Sequence, residues 1–269
     1  MAEQRTTRLK QLYRDPKKIV TTGHRGFSGR YPENTLIAFR KALRVPVDII
    51  EFDVRSSRDD VPVILHDETI DRTSNGTGLP RDHTLEELRQ LNFSHWHAAQ
   101  RDGHRLERPA YPDVTIPTLE EALDCLKGKA GLNIQVCDTT APVLSEICRL
   151  YHSYDLYDEG YLSMSTFGGA ELVRALNPRI ELCILERQNA MDATLLKEMK
   201  DYGCTFVQPG RKAVTPEFCS IVKDLGLCAN MFWSNTDEDN RKYIGYGLQG
   251  ILTDYPDVLR RTIRDMGRQ

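Results

Sequence analysis

From Leu132 onward the sequence alternates short β-rich runs with amphipathic helical ones, and this alternation narrows the folds open to it. Strand-like runs fall at 132–136, 161–164, 180–185, 205–208, 227–232 and 250–252. Helical spacing falls near 118–127, 142–152, 168–176, 192–202, 215–225 and 237–246, and again after Pro256. Parallel neighbours need a crossover of a dozen or more residues, and a helix supplies it. Two earlier strand-like runs, 19–23 and 48–54, flank a helical stretch at 36–43 that the Thr35 hydroxyl can cap. Eight strand–helix units predict an α/β fold, a (β/α)8 TIM barrel spanning residues 1–269 as one domain.

One apolar run does not fit that count. Val61–Leu65 begins only about six residues after the second strand, too few for a parallel crossover. It must fold back as an antiparallel hairpin through a turn near Asp59-Asp60, carrying His66 to the side of Asp53. Residues 68–117, after the hairpin, show little strand pattern and hold Gly76, Gly78 and several prolines. An irregular insertion of that length in a compact domain is usually functional, and this one is expected to cap the site. Residues 1–17 read as a polar helix or arm.

Composition bounds the function. A net charge of -3 argues against a general nucleic-acid binder, and 40% hydrophobic with 28% charged residues is ordinary for a soluble domain. The seven cysteines form no CxxC pair and several lie in apolar runs, which predicts buried thiols rather than a disulfide framework. The basic N-terminal stretch has no apolar core to act as a secretory signal, and no run of about 18 apolar residues spans a membrane. The expected location is cytoplasmic.

The chemistry concentrates between His24 and Asp67. Glu51 and Asp53 are two apart on a strand, so both face the barrel interior near the mouth. Such a pair repels itself unless a positive charge intervenes, and a hard divalent cation with oxygen ligands suits it. Ion pairs to Arg25 or Arg55 are the structural alternative. His24 and His66 both follow strand-like runs, and two imidazoles converging on paired carboxylates suggest general acid–base work. Arg25 is a candidate phosphate clamp through its forked guanidinium, or a partner for Glu33 or Glu51. His95, Trp96, His97 and His104 lie in the insertion without a clear partner set, which favours surface or packing roles.

Read together, Gly23-His24-Arg25-Gly26, Pro32-Glu33-Asn34-Thr35, Glu51-Phe52-Asp53 and His66-Asp67 resemble the signature of the glycerophosphodiester phosphodiesterase family. The resemblance implies a barrel enzyme acting on a small glycerophosphodiester substrate with a divalent cation, Mg2+ first and Ca2+ second. It implies that His24 and His66 act on the attacking and leaving oxygens, without saying which does which. Glu33 and Asn34 would brace the first loop, and Asp67 would orient His66 or its loop. Asn235, an expected substrate contact, and Thr253-Asp254-Tyr255-Pro256 match landmarks near the eighth strand. Phe232 stands about where the family has tryptophan; it could line the substrate pocket or pack in the core.

The chain departs from that pattern on its third barrel strand. Where the family presents glutamate-x-lysine, this sequence has Gln135-Val136-Cys137. Gln135 keeps a carbonyl oxygen for a third metal ligand but loses a negative charge, and Cys137 loses a positive one. The two losses suggest a retuned site with a more weakly held metal. They also leave open a silent phosphodiester-binding barrel, a lysophospholipid phosphodiesterase, and a nucleophilic Cys137.

Overall fold

The computed structural model describes residues 8–95 and 105–269. Among them are eight parallel strands: β1 (Val20–Gly23), β2 (Ile49–Ser56), β4 (Gly131–Val136), β5 (Gly160–Met164), β6 (Leu182–Ile184), β7 (Phe206–Val207), β8 (Cys228–Met231) and β9 (Gly250–Thr253). They run in the spatial order β6-β5-β4-β2-β1-β9-β8-β7. The two ends of that path meet through Gln188, whose Nε2 donates to the Gln208 carbonyl (3.0 Å) and whose carbonyl accepts from Gly210 N (2.8 Å). The result is the nearly closed (β/α)8 TIM barrel that the alternation predicts.

Helices occupy the crossovers: α2 (Leu36–Ala42), α4 (Leu119–Leu126), α5 (Ala141–Ser153), α6 (Phe167–Leu176), α7 (Ala193–Asp201), α8 (Pro216–Asp224), α9 (Asp237–Gly245) and α10 (Pro256–Asp265). Thr35, Thr118, Thr166, Asp192, Thr215 and Thr236 each accept a backbone N–H in the first turn of the helix they precede, which fixes where six of these helices begin.

The period of two along each strand stacks the barrel interior in layers. Val20, Ile49, Tyr161, Cys183, Phe206 and Cys228 form an apolar floor. Two residues further along, Thr22, Glu51, Asn133, Ser163, Gln208 and Asn230 are buried polar groups. Most of these bond across the ring: Thr22 to Asn230 (3.2 Å), Asn133 to Gln208 (2.9 Å) and Ser163 to Asn133 (2.6 Å). Two residues further again stand His24, Asp53, Gln135, Phe232 and Asp254, at the mouth.

The N-terminal arm is less polar in role than its sequence suggests. Helix α1 (Arg8–Leu12) buries Leu9 against the floor, and the Tyr13 ring meets Phe206 edge-on at 6.0 Å. Its charged residues hide one apolar face, and residues 1–7 lie outside the described part.

The hairpin stands as the spacing requires. β3 (Pro62–Ile64) pairs antiparallel with β2 in the register Val54 to Ile64, and Asp60 takes the left-handed turn position (φ 57°). Among the described residues the insertion carries one short α-helix, α3 (Leu85–Arg89), and with the hairpin forms a small core around Val63, Leu65, Ile70, Leu88, Phe93 and Ile116. Arg81 ties it to Asp138, just past β4 (2.7 Å). His95 is buried with its Nδ1 at the Leu106 carbonyl (3.0 Å); Trp96, His97 and His104 lie outside the described residues.

Candidate active site

The loop from β1 to α2 builds half of the site. Arg25 and Asn34 both sit at positive φ (51° and 56°), and their backbones join through Asn34 N to the Arg25 carbonyl (3.1 Å). Gly26 (φ 84°) lies so close to α2 that a Cβ there would stand 2.8 Å from the Ala38 carbonyl carbon. Thr35 caps α2, and Asn34 clamps Asp53: its Nδ2 donates to Asp53 Oδ2 (2.9 Å) while its Oδ1 accepts from Asp53 N (3.3 Å). The expected bracing by Asn34 is thus a direct grip on one of the paired carboxylates.

Arg25 supplies positive charge beneath that pair. Its Nη1 donates to Glu33 Oε1 (2.7 Å), its Nε stands 3.2 Å from Asp53 Oδ2, and its backbone N donates to Glu51 Oε2 (2.9 Å). This is close to the structural alternative read from sequence. Arg72, from the insertion, grips the same Glu33 with both terminal nitrogens (2.7 and 3.0 Å). Burial alone would raise the Glu33 carboxyl, but the two guanidiniums outweigh it and hold it at about 2. Glu51 has no such pair of cations. Burial first, and the Asp53 charge second, push its carboxyl well above the usual range.

The two histidines are oriented alike. His24 Nδ1 lies 2.6 Å from Asp254 Oδ1, and His66 Nδ1 lies 2.7 Å from Asp67 Oδ1. With Nδ1–H given to an aspartate, each ring turns Nε2 toward other partners. His24 Nε2 faces Glu51 Oε2 at 4.0 Å. Burial lowers the His24 imidazole well below its ordinary value; Arg25 adds to that, as does a smaller effect of His66, which shares the site. Asp254 is held by Ser28 Oγ (2.9 Å), and Asn235 Nδ2 also donates to it. Asp67 is held by Arg72 through Nε and Nη2.

Several sequence expectations change with this placement. Asn235, expected at the substrate, has both polar ends engaged: its Oδ1 accepts from Thr253 Oγ1 (3.1 Å) and Asp254 N (2.9 Å). It buttresses the aspartate behind His24. Phe232 lies edge-on to the His24 ring at 5.3 Å and is half-buried, so it packs beside the histidine while part of its ring stays accessible. The sequence marks Asp254 only as part of the Thr253-Asp254-Tyr255-Pro256 landmark, without linking it to His24, which stands 230 residues away, and it does not mark Arg72, which sits in patternless sequence.

Gln135 lies beside Asp53 in the register of β2 and β4, as the resemblance requires. Its Nε2 points to Cys137 Sγ (3.9 Å), which leaves Oε1 as the group it can offer an ion. Burial pushes the Cys137 thiol up to about 12, so at neutral pH it is no nucleophile. Among the described residues no cluster of three or more His, Cys, Asp or Glu side chains has metal-binding geometry. The donor chemistry still fits a hard cation. Glu51 Oε1 and Asp53 Oδ1 take no hydrogen bond among the described residues, and a neutral amide oxygen completes the set. No helix among the described residues is long and apolar enough to cross a membrane.

Comparison with known proteins agrees with this geometry. Residues 24–258 match the model of the glycerophosphoryl diester phosphodiesterase family. A glycerophosphodiester phosphodiesterase of Bacillus altitudinis is 32% identical over 243 residues, covering 87% of this chain and 94% of that protein. A solved structure from Silicibacter pomeroyi DSS-3 superposes with a TM-score of 0.86 at 24% identity over 97% of this chain and 98% of its own, which bears on the fold. An Oleispira antarctica phosphodiesterase, solved in complex with the product sn-glycerol-3-phosphate, superposes with a TM-score of 0.75 at 25% identity, covering 91% and 96% of the two chains.

Proposed function

The chain belongs to the glycerophosphoryl diester phosphodiesterase family and is a glycerophosphodiester phosphodiesterase; we propose that it cleaves its substrate to glycerol 3-phosphate and an alcohol by metal-assisted hydrolysis, with His24 and His66 moving the protons. The observation that carries this reading is the paired arrangement: two imidazoles, each oriented by an aspartate, bordering two inward carboxylates. Glu51, Asp53 and Gln135 Oε1 would hold the cation. A bound divalent ion, Mg2+ in this reading with Ca2+ the alternative, supplies charge to stabilise the phosphorane-like transition state.

The rest is the work of this chain's own groups. One imidazole takes the proton of the attacking oxygen at Nε2, and the other gives a proton to the departing alcohol. Asp254 and Asp67 fix the tautomer in which Nε2 can do this, and each stabilises the imidazolium that forms. Arg25 offsets part of the repulsion between Glu51 and Asp53 and holds both in place. The product bound in the Oleispira antarctica structure supports the substrate class. Seven free thiols support a cytoplasmic location.

Product analysis tests the proposal. Glycerophosphocholine incubated with the protein should give glycerol 3-phosphate and choline with Mg2+ or Ca2+ and nothing with EDTA. Turnover that survives exhaustive chelation would remove the metal from the scheme. Binding without turnover under all conditions would leave the silent barrel in its place.

A further inference from the structure

A second cleft opens beside the proposed catalytic groups, and its lining is not neutral. It has a volume of about 690 Å3 and is bounded by Asn189, Arg211, Lys212, Phe232, Trp233 and Lys242, with the first turn of α8 at Thr215 and Pro216. Asn189, Arg211, Lys212, Phe232 and Trp233 follow β6, β7 and β8 at the mouth, whereas Lys242 and Tyr243 stand on α9 and Tyr246 just past it, so the cleft runs from the mouth outward along α9. Phe232 is the shared wall: one part of its ring environment is His24 (5.3 Å), the other is this cleft. Among the described residues, three cations and no carboxylate line it. Arg211 is paired with Asp239 (2.8 Å), but Lys212 and Lys242 have no ion pair among the described residues and both are exposed. The N-terminus of α8 adds positive potential of its own.

The aromatic residues here look suited to a quaternary ammonium, but their faces already carry cations. The Arg211 guanidinium lies 5.5 Å from the Trp233 ring centre, and Lys242 Nζ lies 5.3 Å from Tyr243 and 6.0 Å from Tyr246. A choline head group would have to displace like charges to reach them. An anion meets two unpaired ammonium groups instead.

Resting on the phosphodiesterase reading above, we propose that this cleft receives the alcohol portion of the substrate and selects alcohols that carry an anionic group, such as a second phosphate, over choline. Glycerol 3-phosphate is the constant part of these diesters and the alcohol the variable part, so a cleft of this size continuing past Phe232 suits the variable part. Lys212 and Lys242 are the specificity-determining residues, and Arg211, held by Asp239 and Trp233, is the fixed wall against which they act.

The test is competition among three diesters of glycerol phosphate: with inositol phosphate, with glycerol and with choline. The parent protein should favour the inositol phosphate diester over the choline diester by about tenfold or more in kcat/KM at low salt, with the glycerol diester between them; high salt should compress the series. In the Lys212→Glu, Lys242→Glu double variant the ratio of anionic to choline substrate should fall by at least about tenfold. A second, milder variant, Lys242→Gln, should move the same ratio in the same direction and guards against a misfolded double variant. Equal kcat/KM for the three diesters, or a preference for choline, overturns the proposal while leaving the phosphodiesterase reading intact. Failure to hydrolyse any of the three overturns that reading itself.

Discussion

His24 meets Asp254 at 2.6 Å and His66 meets Asp67 at 2.7 Å, but the first ring is 9% exposed and the second 39%. The first pair joins two neighbouring barrel strands, β1 and β9, and its aspartate is held by neutral donors, Ser28 and Asn235. The second pair is two consecutive residues beyond a hairpin, and its aspartate is held by an arginine that also reaches Glu33. A neutral, buried frame positions a group without adding charge. An ion-paired, partly wet frame positions it more loosely and is screened by salt. The barrel thus fixes one imidazole, while the hairpin, steadied by Arg72 of the insertion, presents the other.

The largest effect should come from removing either ring. His24→Ala and His66→Ala are each expected to lower kcat by about 100-fold or more, the usual scale for a general acid or base. Repeating both with a diester of p-nitrophenol separates their roles, because that leaving group needs no proton. The variant that recovers on it lacks the acid; recovery of both, or near-normal activity of either on the glycerol diester, would break the pairing.

Removing the aspartates should separate the two frames. Asp254→Asn should cost about 100-fold in kcat and Asp67→Asn about 10-fold, the two ends of the range for groups that orient a working histidine. The reasoning is that water can stand in for Asp67 and cannot reach behind His24. Equal losses would show that exposure does not distinguish the pairs.

Next in size is the metal. Gln135→Glu adds a charge beside Asp53, and the Mg2+ concentration giving half-maximal rate should fall by about tenfold. Cys137→Lys in the same chain should restore maximal rate if the added charge repels the phosphate. Unchanged metal dependence in a titration would take Gln135 out of the ligand set.

The smallest effect on turnover is expected from Arg72→Met, whose main readout is stability. Glu33 has a folded value of about 2 against an ordinary 4.5, so its contribution is full above pH 4.5 and is lost as pH falls toward 2. Without Arg72 its value rises, and the variant should lose about 3 kcal/mol near neutral pH, the scale for breaking a buried ion pair. Its stability should then fall less steeply than the parent's between pH 4.5 and 2, as read by urea unfolding at several pH values. A parallel offset at all pH values would mean Arg72 acts by packing alone.

The barrel, its hairpin and the inward carboxylates were legible in the sequence because periodicity and spacing are local signals. So was His66-Asp67, a contiguous pair. The partner of His24 was not, since nothing within a window of sequence links it to Asp254. Asn235 was read as facing substrate because a landmark gives a position and not a direction. Arg72 was invisible for another reason: the insertion has no period, so no residue in it stands out until its contacts are known. The apolar face of α1 was masked by the charges on either side of Leu9.

The pairing of β1 with β9 has a consequence for how the molecule comes into being. It joins the strands most distant in sequence, Val20 to Gly250 through Gly23 to Thr253, and the same closure brings Asp254 to His24. Contacts that span such a separation carry a large entropic cost and form late. During synthesis His24 therefore emerges long before Asp254, the group that meets it 230 residues later. In the proposed mechanism full competence then arrives only with the closing of the ring, and a growing or damaged chain that fails to close lacks the His24–Asp254 pair.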